Sequence, residues 1–196
     1  MLECDDPYDE RPASLSEALE VLDRRPELPP FVMRQAMPAD TMQIDNLFRA
    51  SYGELLRADY SAATLAKVLP SLLVTSPRLL NSGTFFVAET GGGDVIAAGG
   101  WTQASPFGGV GPREIGHMRR VAVHPDYVRR GVGSVILDHV LANAQRTGVT
   151  RMCCLSTLTA QPFYEAHGFA MSGDVDLMLR PGVALPAVQM ARDLNA

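Results

Sequence analysis

Residues 117–146 read HMRRVAVHPDYVRRGVGSVILDHVLANAQR, and this stretch decides the fold. His117 to Val123 carries strand-forming residues, and His124-Pro125-Asp126-Tyr127-Val128 leads out of the strand. Arg129-Arg130-Gly131-Val132-Gly133-Ser134 then opens a helix that runs to about Arg146. Val132, Val135, Ile136, Val140, Leu141 and Ala144 give that helix a broad apolar face. Arg146 suits the dipole of its last turn, and Gly148 can supply a left-handed cap. The first amides of a helix lack intrahelical acceptors and carry partial positive charge, so an anion there collects several hydrogen bonds at once. Gly131 and Gly133 would let a phosphate reach the backbone, and Arg129 and Arg130 add charge. The competing reading is a glycine-rich turn with no ligand. A P-loop is excluded because Ser134-Val135 follows the second glycine with no lysine. A Rossmann turn is excluded because position 136 is Ile and no suitable acid lies ~20 residues on.

Upstream, the chain reads as α/β from Phe31. FVMRQAM is a first strand, and Asp40 with Gln43 resembles a capping pair before a helix whose stripe is Ile44, Leu47, Phe48 and Leu55. Leu65, Val68, Leu69 and Leu72 line a second helix. TFFVAE and DVIAAGGWTQ form a hairpin across Gly91-Gly92-Gly93. Residues 1–30 read as an appendage. Ser14-Leu15-Ser16-Glu17 is a capping box, Leu15, Ala18, Leu19 and Leu22 line one helical face, and Pro26, Pro29 and Pro30 make a stiff linker.

Charge separates the function classes. The chain has 17 Lys plus Arg against 22 Asp plus Glu, a net of −5, where a generic nucleic-acid binder would carry a basic excess. Basic residues gather locally at Arg119, Arg120, Arg129 and Arg130, which suits a small anionic ligand better than a polymer. No apolar run approaches the ~18 to 20 residues that span a bilayer, and MLECDDPYDERP is the opposite of a secretory signal. A soluble, cytoplasmic protein without nucleic-acid or membrane partners is expected. Cys4, Cys153 and Cys154 fit a reducing compartment and have no zinc spacing. Cys153 and Cys154 read as packing residues on opposite faces of a strand, with an active-site thiol as the alternative.

The run VAVHPDYVRRGVGSVILDHVL resembles the acyl-CoA signature of the GNAT-superfamily N-acetyltransferases, a strand ending near Val-x-Pro followed by Arg/Gln-x-x-Gly-x-Gly/Ala. AQPFYEAHGF at 160–169 resembles the family's FYE-x-x-GF segment, and FFVAETGGGDVIAAGGW is similar to its second and third strands. The resemblance covers roughly residues 31 to 180 and departs at Val128, where relatives have Arg or Gln, and at Thr159, where many have Asn. It implies a GNAT-like domain over 31–196: an α/β (α+β) fold with a mixed, mostly antiparallel sheet, flanked by helices and splayed between the fourth and fifth strands. It also implies acetyl-CoA as co-substrate and no metal. Arg129 to Ser134 would cradle the diphosphate, while the strand Val121, Ala122, Val123 and the Thr159 hydroxyl would meet the rest of the cofactor. Tyr164 falls where relatives place the general acid.

Direct attack on an acetyl thioester needs a neutral amine, and a lysine-like amine pays about 4.6 kcal/mol for deprotonation at pH 7. His117 aligns with a strand position where some relatives carry a catalytic Glu; Glu114, through a water, is the competing base. Each also has a purely structural reading, as does Tyr164 beside Phe163 and Phe169. His124, His139 and His167 read as structural, and Trp101 as core more than as a substrate platform. The acceptor is a small-molecule or peptide amine whose pocket would be shaped by residues 48–82, 102–114 and a C-terminal strand near 183–192. The acidic composition leans toward a cationic acceptor. Val183, Leu185, Val188 and Met190 could complete the sheet or pair across a homodimer. A non-catalytic acyl-CoA-binding module and a cysteine-acylated intermediate are the rivals to direct transfer.

Overall fold

Seven strands form one sheet in the computed structural model, which describes residues 27–106, 108–109 and 111–195. They are β1 (Phe31–Gln35), β2 (Phe85–Thr90), β3 (Val95–Thr102), β4 (Ile115–Val123), β5 (Arg151–Thr157), β6 (Ala170–Arg180) and β7 (Val183–Asp193). Their order is β1-β2-β3-β4-β5-β7-β6, antiparallel throughout except for the parallel β4–β5 pair. The mixed, mostly antiparallel sheet implied by the resemblance is therefore present. Cys4 and the helix expected after Ser14 lie outside the described residues.

Five helices flank the sheet among those residues: α1 (Thr41–Leu55), α2 (Ala62–Leu72), α3 (Pro77–Leu80), α4 (Val132–Arg146) and α5 (Gln161–Ala166). Alternation along β2 settles which layer each covers. Phe85 and Val87 pack with Ile44, Leu47 and Phe48 of α1, whereas Ala88 packs with Val132 and Ile136 of α4 and Phe86 with Leu137 and Val140. Helix α2 lies over the β6–β7 hairpin, where Leu65 and Val68 meet Leu185, Leu177 and Leu179. No helix among the described residues is long and apolar enough to cross a membrane.

Local detail departs from the sequence reading in three places. Asp40 does not pair with Gln43. Its carboxylate accepts from the Met37 amide at 2.7 Å and from both terminal nitrogens of Arg34 at 2.7 and 2.9 Å, while Gln43 Oε1 accepts from the Val95 amide at 3.1 Å. The α1 stripe ends on buried Leu56 instead of Leu55, because the chain tightens into a 3-10 turn there. Residues 170–180, unassigned from sequence, form β6, a sheet-edge strand with Val175, Leu177 and Leu179 on its more buried face.

The buried Asp40 carboxylate anchors the chain between β1 and α1, and Arg34 holds its pKa below the usual 3.8. Asp40→Asn removes the charge beside Arg34 and should lower unfolding free energy by about 2 to 4 kcal/mol. A carboxylate with a depressed folded pKa stabilises above its unfolded pKa and loses that contribution as pH falls through the folded value. Urea unfolding of both proteins should thus show a constant gap from pH 5 to 8 that narrows below about pH 4.

Candidate active site

Strands β4 and β5 pair only at Ile115–Arg151, Gly116–Met152 and His117–Cys153. Beyond His117 they part, while β4 stays paired to β3 as far as Val123–Ala97 and β5 stays paired to β7 as far as Thr157–Ala187. The gap is therefore bounded by two intact half-sheets. The His124 amide bonds Ile96 at 2.8 Å and Ala122 lies opposite Ala98, so alternation commits the polar groups of Ala122 to β3. Those of Val121 and Val123 face the gap. Of the three strand residues expected at the cofactor, Ala122 alone is turned away.

The N-terminus of α4 stands at the mouth of this gap. Gly131 is its N-cap with φ 82°, contributes no side-chain cap, and leaves the first amides open as helix geometry requires. A Cβ there would touch nothing within 4 Å, so the notch before the amides is clear. Gly133 answers to a different constraint. A Cβ on it would lie 3.2 Å from the Phe163 ring and 3.6 Å from Val123, so glycine lets α4 close against α5 and the end of β4. The preceding Arg129 is also left-handed, with φ 63°. Ser134 Oγ lies 2.9 Å from His167 Nε2, and His167 Nδ1 lies 2.7 Å from the Phe163 carbonyl. A carbonyl requires a donor, so Nδ1 carries the proton, and in the neutral ring Ser134 donates to Nε2. His167, read as bland from sequence, thus ties α5 to the cradle. The Thr159 hydroxyl is buried with no hydrogen-bond partner among the described residues.

Inside the gap lies a cleft of about 400 Å³. Tyr164 and His117 both line it, and Glu114 does not. Glu114 is exposed in the turn before β4, where its carbonyl accepts from the amides of Thr150 and Arg151. Tyr164 is held edge-on between Phe163 and Phe169, with ring centroids 5.3 and 5.2 Å away. Burial, then Cys154 and Tyr52, pushes its hydroxyl well above 10. Burial, with the charge of Arg119, lowers His117 below 6.5, so its ring is neutral at pH 7. Cys153 and Cys154 also line the cleft, but burial raises both thiols, Cys154 to about 12. At pH 7 only about one Cys154 in 10⁵ would be a thiolate, which disfavours an acyl-cysteine route.

Several lining residues were not singled out individually as such from sequence, although Tyr52, Leu185 and Gln189 lie in the segments 48–82 and 183–192 expected to shape the acceptor pocket. Tyr52 faces the cleft from α1, stacked on Phe48 at 5.2 Å. Its place on the apolar stripe two turns after Ile44 and one after Phe48 was the available signal. Leu177 and Leu179 enter from the unassigned β6, beside Leu185 and Gln189 of β7. The four arginines do not form one basic group. Arg119 donates to Thr102 Oγ1, and Arg120 reaches the carbonyls of Leu72 and Ser71 at the end of α2, both within the cleft and away from the α4 turn. Trp101 is buried, with its indole N–H on Asn143 at 2.8 Å, His139 packs edge-on against Phe86, and His124 Nδ1 accepts from the Asp126 amide.

Known proteins share this fold. Residues 81–171 match the family model described as acetyltransferase (GNAT) domain. The amino-acid acetyltransferase of Escherichia coli K12 is 38% identical over 65 residues, which are 33% of this chain and 14% of that protein. The match thus spans a small part of the length of these curated relatives. A GCN5-related N-acetyltransferase from Rhodopseudomonas palustris superposes with TM-score 0.63 at 20% identity, covering 85% of this chain and 97% of that one. The PaiA N-acetyltransferase of Thermoplasma acidophilum, solved with coenzyme A, gives 0.63 at 15% identity over 84% and 99%. N-acetylglutamate synthase from Neisseria gonorrhoeae, solved with coenzyme A and N-acetylglutamate, gives 0.58 at 19% identity over 86% of this chain and 36% of that one. Acetyl-CoA is the co-substrate of the family these proteins represent. Residues 81–171, from just after α3 into β6, thus match a GNAT acetyltransferase domain, and solved N-acetyltransferases share the fold of the chain around them.

Proposed function

We propose that the protein transfers the acetyl group of acetyl-CoA to an amine by direct attack within a ternary complex. One observation supports the reading: β4 and β5 part beyond His117, so the main chain of Val121 and Val123 faces a gap whose cleft Tyr164 lines, and the uncapped start of α4 packs beside Val123 at the end of β4. The residues present fit the co-substrate. Uncapped amides at Val132, Gly133 and Ser134, with Arg129 and Arg130 alongside, suit a diphosphate. The unpaired edge of β4 suits an extended amide-bearing arm, and the orphaned Thr159 hydroxyl is a buried group still owed a partner.

His117 is the base in this reading. Neutral at pH 7 and inside the cleft, it takes the proton from the attacking nitrogen, offsetting the deprotonation cost of the amine. The Val121 amide faces the gap where the thioester oxygen gains charge as the N–C bond forms. As the C–S bond breaks, Tyr164 gives its proton to the departing sulfur. A phenol raised above 10 is a weak acid, yet the sulfur it serves enters the same desolvated cleft. The burial that raises Tyr164 also raises the thiols of Cys153 and Cys154 in that cleft, so a thiolate desolvated there would likewise be a stronger base.

The test is a thiol-release assay with acetyl-CoA against amino acids, peptides, polyamines and aminoglycosides. Release that depends on an acceptor supports transfer, and its absence with every amine would favour a module that only binds acyl-CoA. His117→Gln should lower kcat by about 100-fold and abolish the acidic limb of the kcat–pH profile, which in the parent protein lies below pH 6.5. A limb that survives the substitution would move the base elsewhere.

A further inference from the structure

We propose that the acceptor is an amine that also carries a carboxylate, with Arg119 as its specificity-determining contact and Arg120 supplying adjacent charge. This rests on the acetyl-transfer reading above and narrows its substrate class.

The cleft is lined asymmetrically in charge. Among the described residues it contains Arg119 and Arg120 and no aspartate or glutamate, although acids outnumber bases in the chain as a whole. The partners of both guanidinium groups are neutral: Thr102 Oγ1 and the Ala104 carbonyl for Arg119, the Leu72 and Ser71 carbonyls for Arg120. Neither charge is cancelled by an ion pair between described residues, and each group keeps further N–H donors unused. Net charge points the other way from the pocket, which reverses the cationic acceptor that composition suggests.

Backbone geometry explains how two consecutive residues reach one cleft. In a regular strand their side chains would point to opposite faces. Here the β3–β4 register slips between Ala98–Ala122 and Gly100–Arg119, and Arg120 is left-handed at φ 52°. The bulge puts Arg119 and Arg120 on the same face of β4, that of α1 and α2, while the Val121 side chain packs toward α4. Arg119 also stands two residues from His117, on the same face of β4 and roughly 7 Å along the strand. A carboxylate on Arg119 would leave the amine of the same small molecule within reach of the His117 ring. A polycation would meet two like charges and no counter-charge.

The experiment compares wild-type kcat/KM for glutamate and alanine with that for their carboxamides and for spermidine, and titrates coenzyme A calorimetrically in parallel. The expected result is a preference of at least about 10-fold for the carboxylates, with spermidine poorest. Arg119→Met should erase that preference by raising KM for the carboxylates about 10-fold, with kcat changed less than about 3-fold, and Arg119→Lys should restore part of it. Carboxamides or spermidine used as well as the carboxylates, or no turnover of any carboxylate, would overturn the inference while heat from coenzyme A leaves the binding site standing. No heat from coenzyme A would remove the acetyl-transfer reading and this inference with it. Should Arg119→Met fail to fold, the wild-type ratios still decide.

Discussion

Replacing Tyr164 with phenylalanine is expected to cut acetyl transfer by about 10²- to 10⁴-fold while coenzyme A still binds. The substitution deletes one hydroxyl and keeps the ring. That hydroxyl makes no hydrogen bond to another described residue, so its loss strands no buried partner, and the edge-on contacts with Phe163 and Phe169 persist. Thermal stability should change by less than about 1 kcal/mol. What would disappear, on the proposed mechanism, is the proton for the departing sulfur. Steady-state kinetics beside a coenzyme A titration reads both sides of the claim. A variant with unimpaired kcat would remove Tyr164 from the chemistry, and Tyr52, facing the same cleft with its own hydroxyl pushed to about 12, would become the next donor to examine.

Gly131→Asp should weaken coenzyme A binding by at least about 100-fold and leave the fold intact. The new side chain enters open space, since a Cβ at Gly131 meets nothing within 4 Å. The backbone at φ 82° strains most residues by about 1 kcal/mol, but Asp and Asn tolerate the left-handed region better than others. An aspartate at an N-cap is also a good helix start, because its carboxylate accepts from the first amides. Those are the amides assigned to the diphosphate, so the variant occupies the cradle with its own anion and repels the ligand's. Gly131→Asn, which has the same shape without the charge, should lose markedly less. Equal affinities for parent and Asp variant in calorimetry would mean that the diphosphate lies elsewhere.

Local signals made part of this legible from the chain alone. The β4–turn–α4 unit could be read because a strand, a left-handed glycine and a periodic apolar face follow one another within 30 residues, and each is a property of its neighbours in sequence. Tyr164 could be placed because its motif fixes it beside Phe163 and Phe169. The bulge at Arg120 could not, since it arises from the register between β3 and β4. A Cβ on Gly99 would come within 3.1 Å of Val121, a contact no local pattern announces. The same holds for the Ser134–His167 bond, which joins residues 33 apart, and for Arg120 at the end of α2, 48 apart from Leu72. Glu114 was plausible by its closeness to His117 in sequence, but β4 begins only at Ile115 and leaves it in the exposed turn outside the cleft.

The three-rung contact between β4 and β5 has a consequence for the molecule as a material. Two slabs of sheet are riveted at one end and open at the other, and the main chain of Val121 and Val123 is left wanting a neighbour there. An arm of co-substrate laid in that slot would act as a removable eighth strand, so the upkeep of the architecture and the supply of the reagent become linked: a starved molecule is also a looser one.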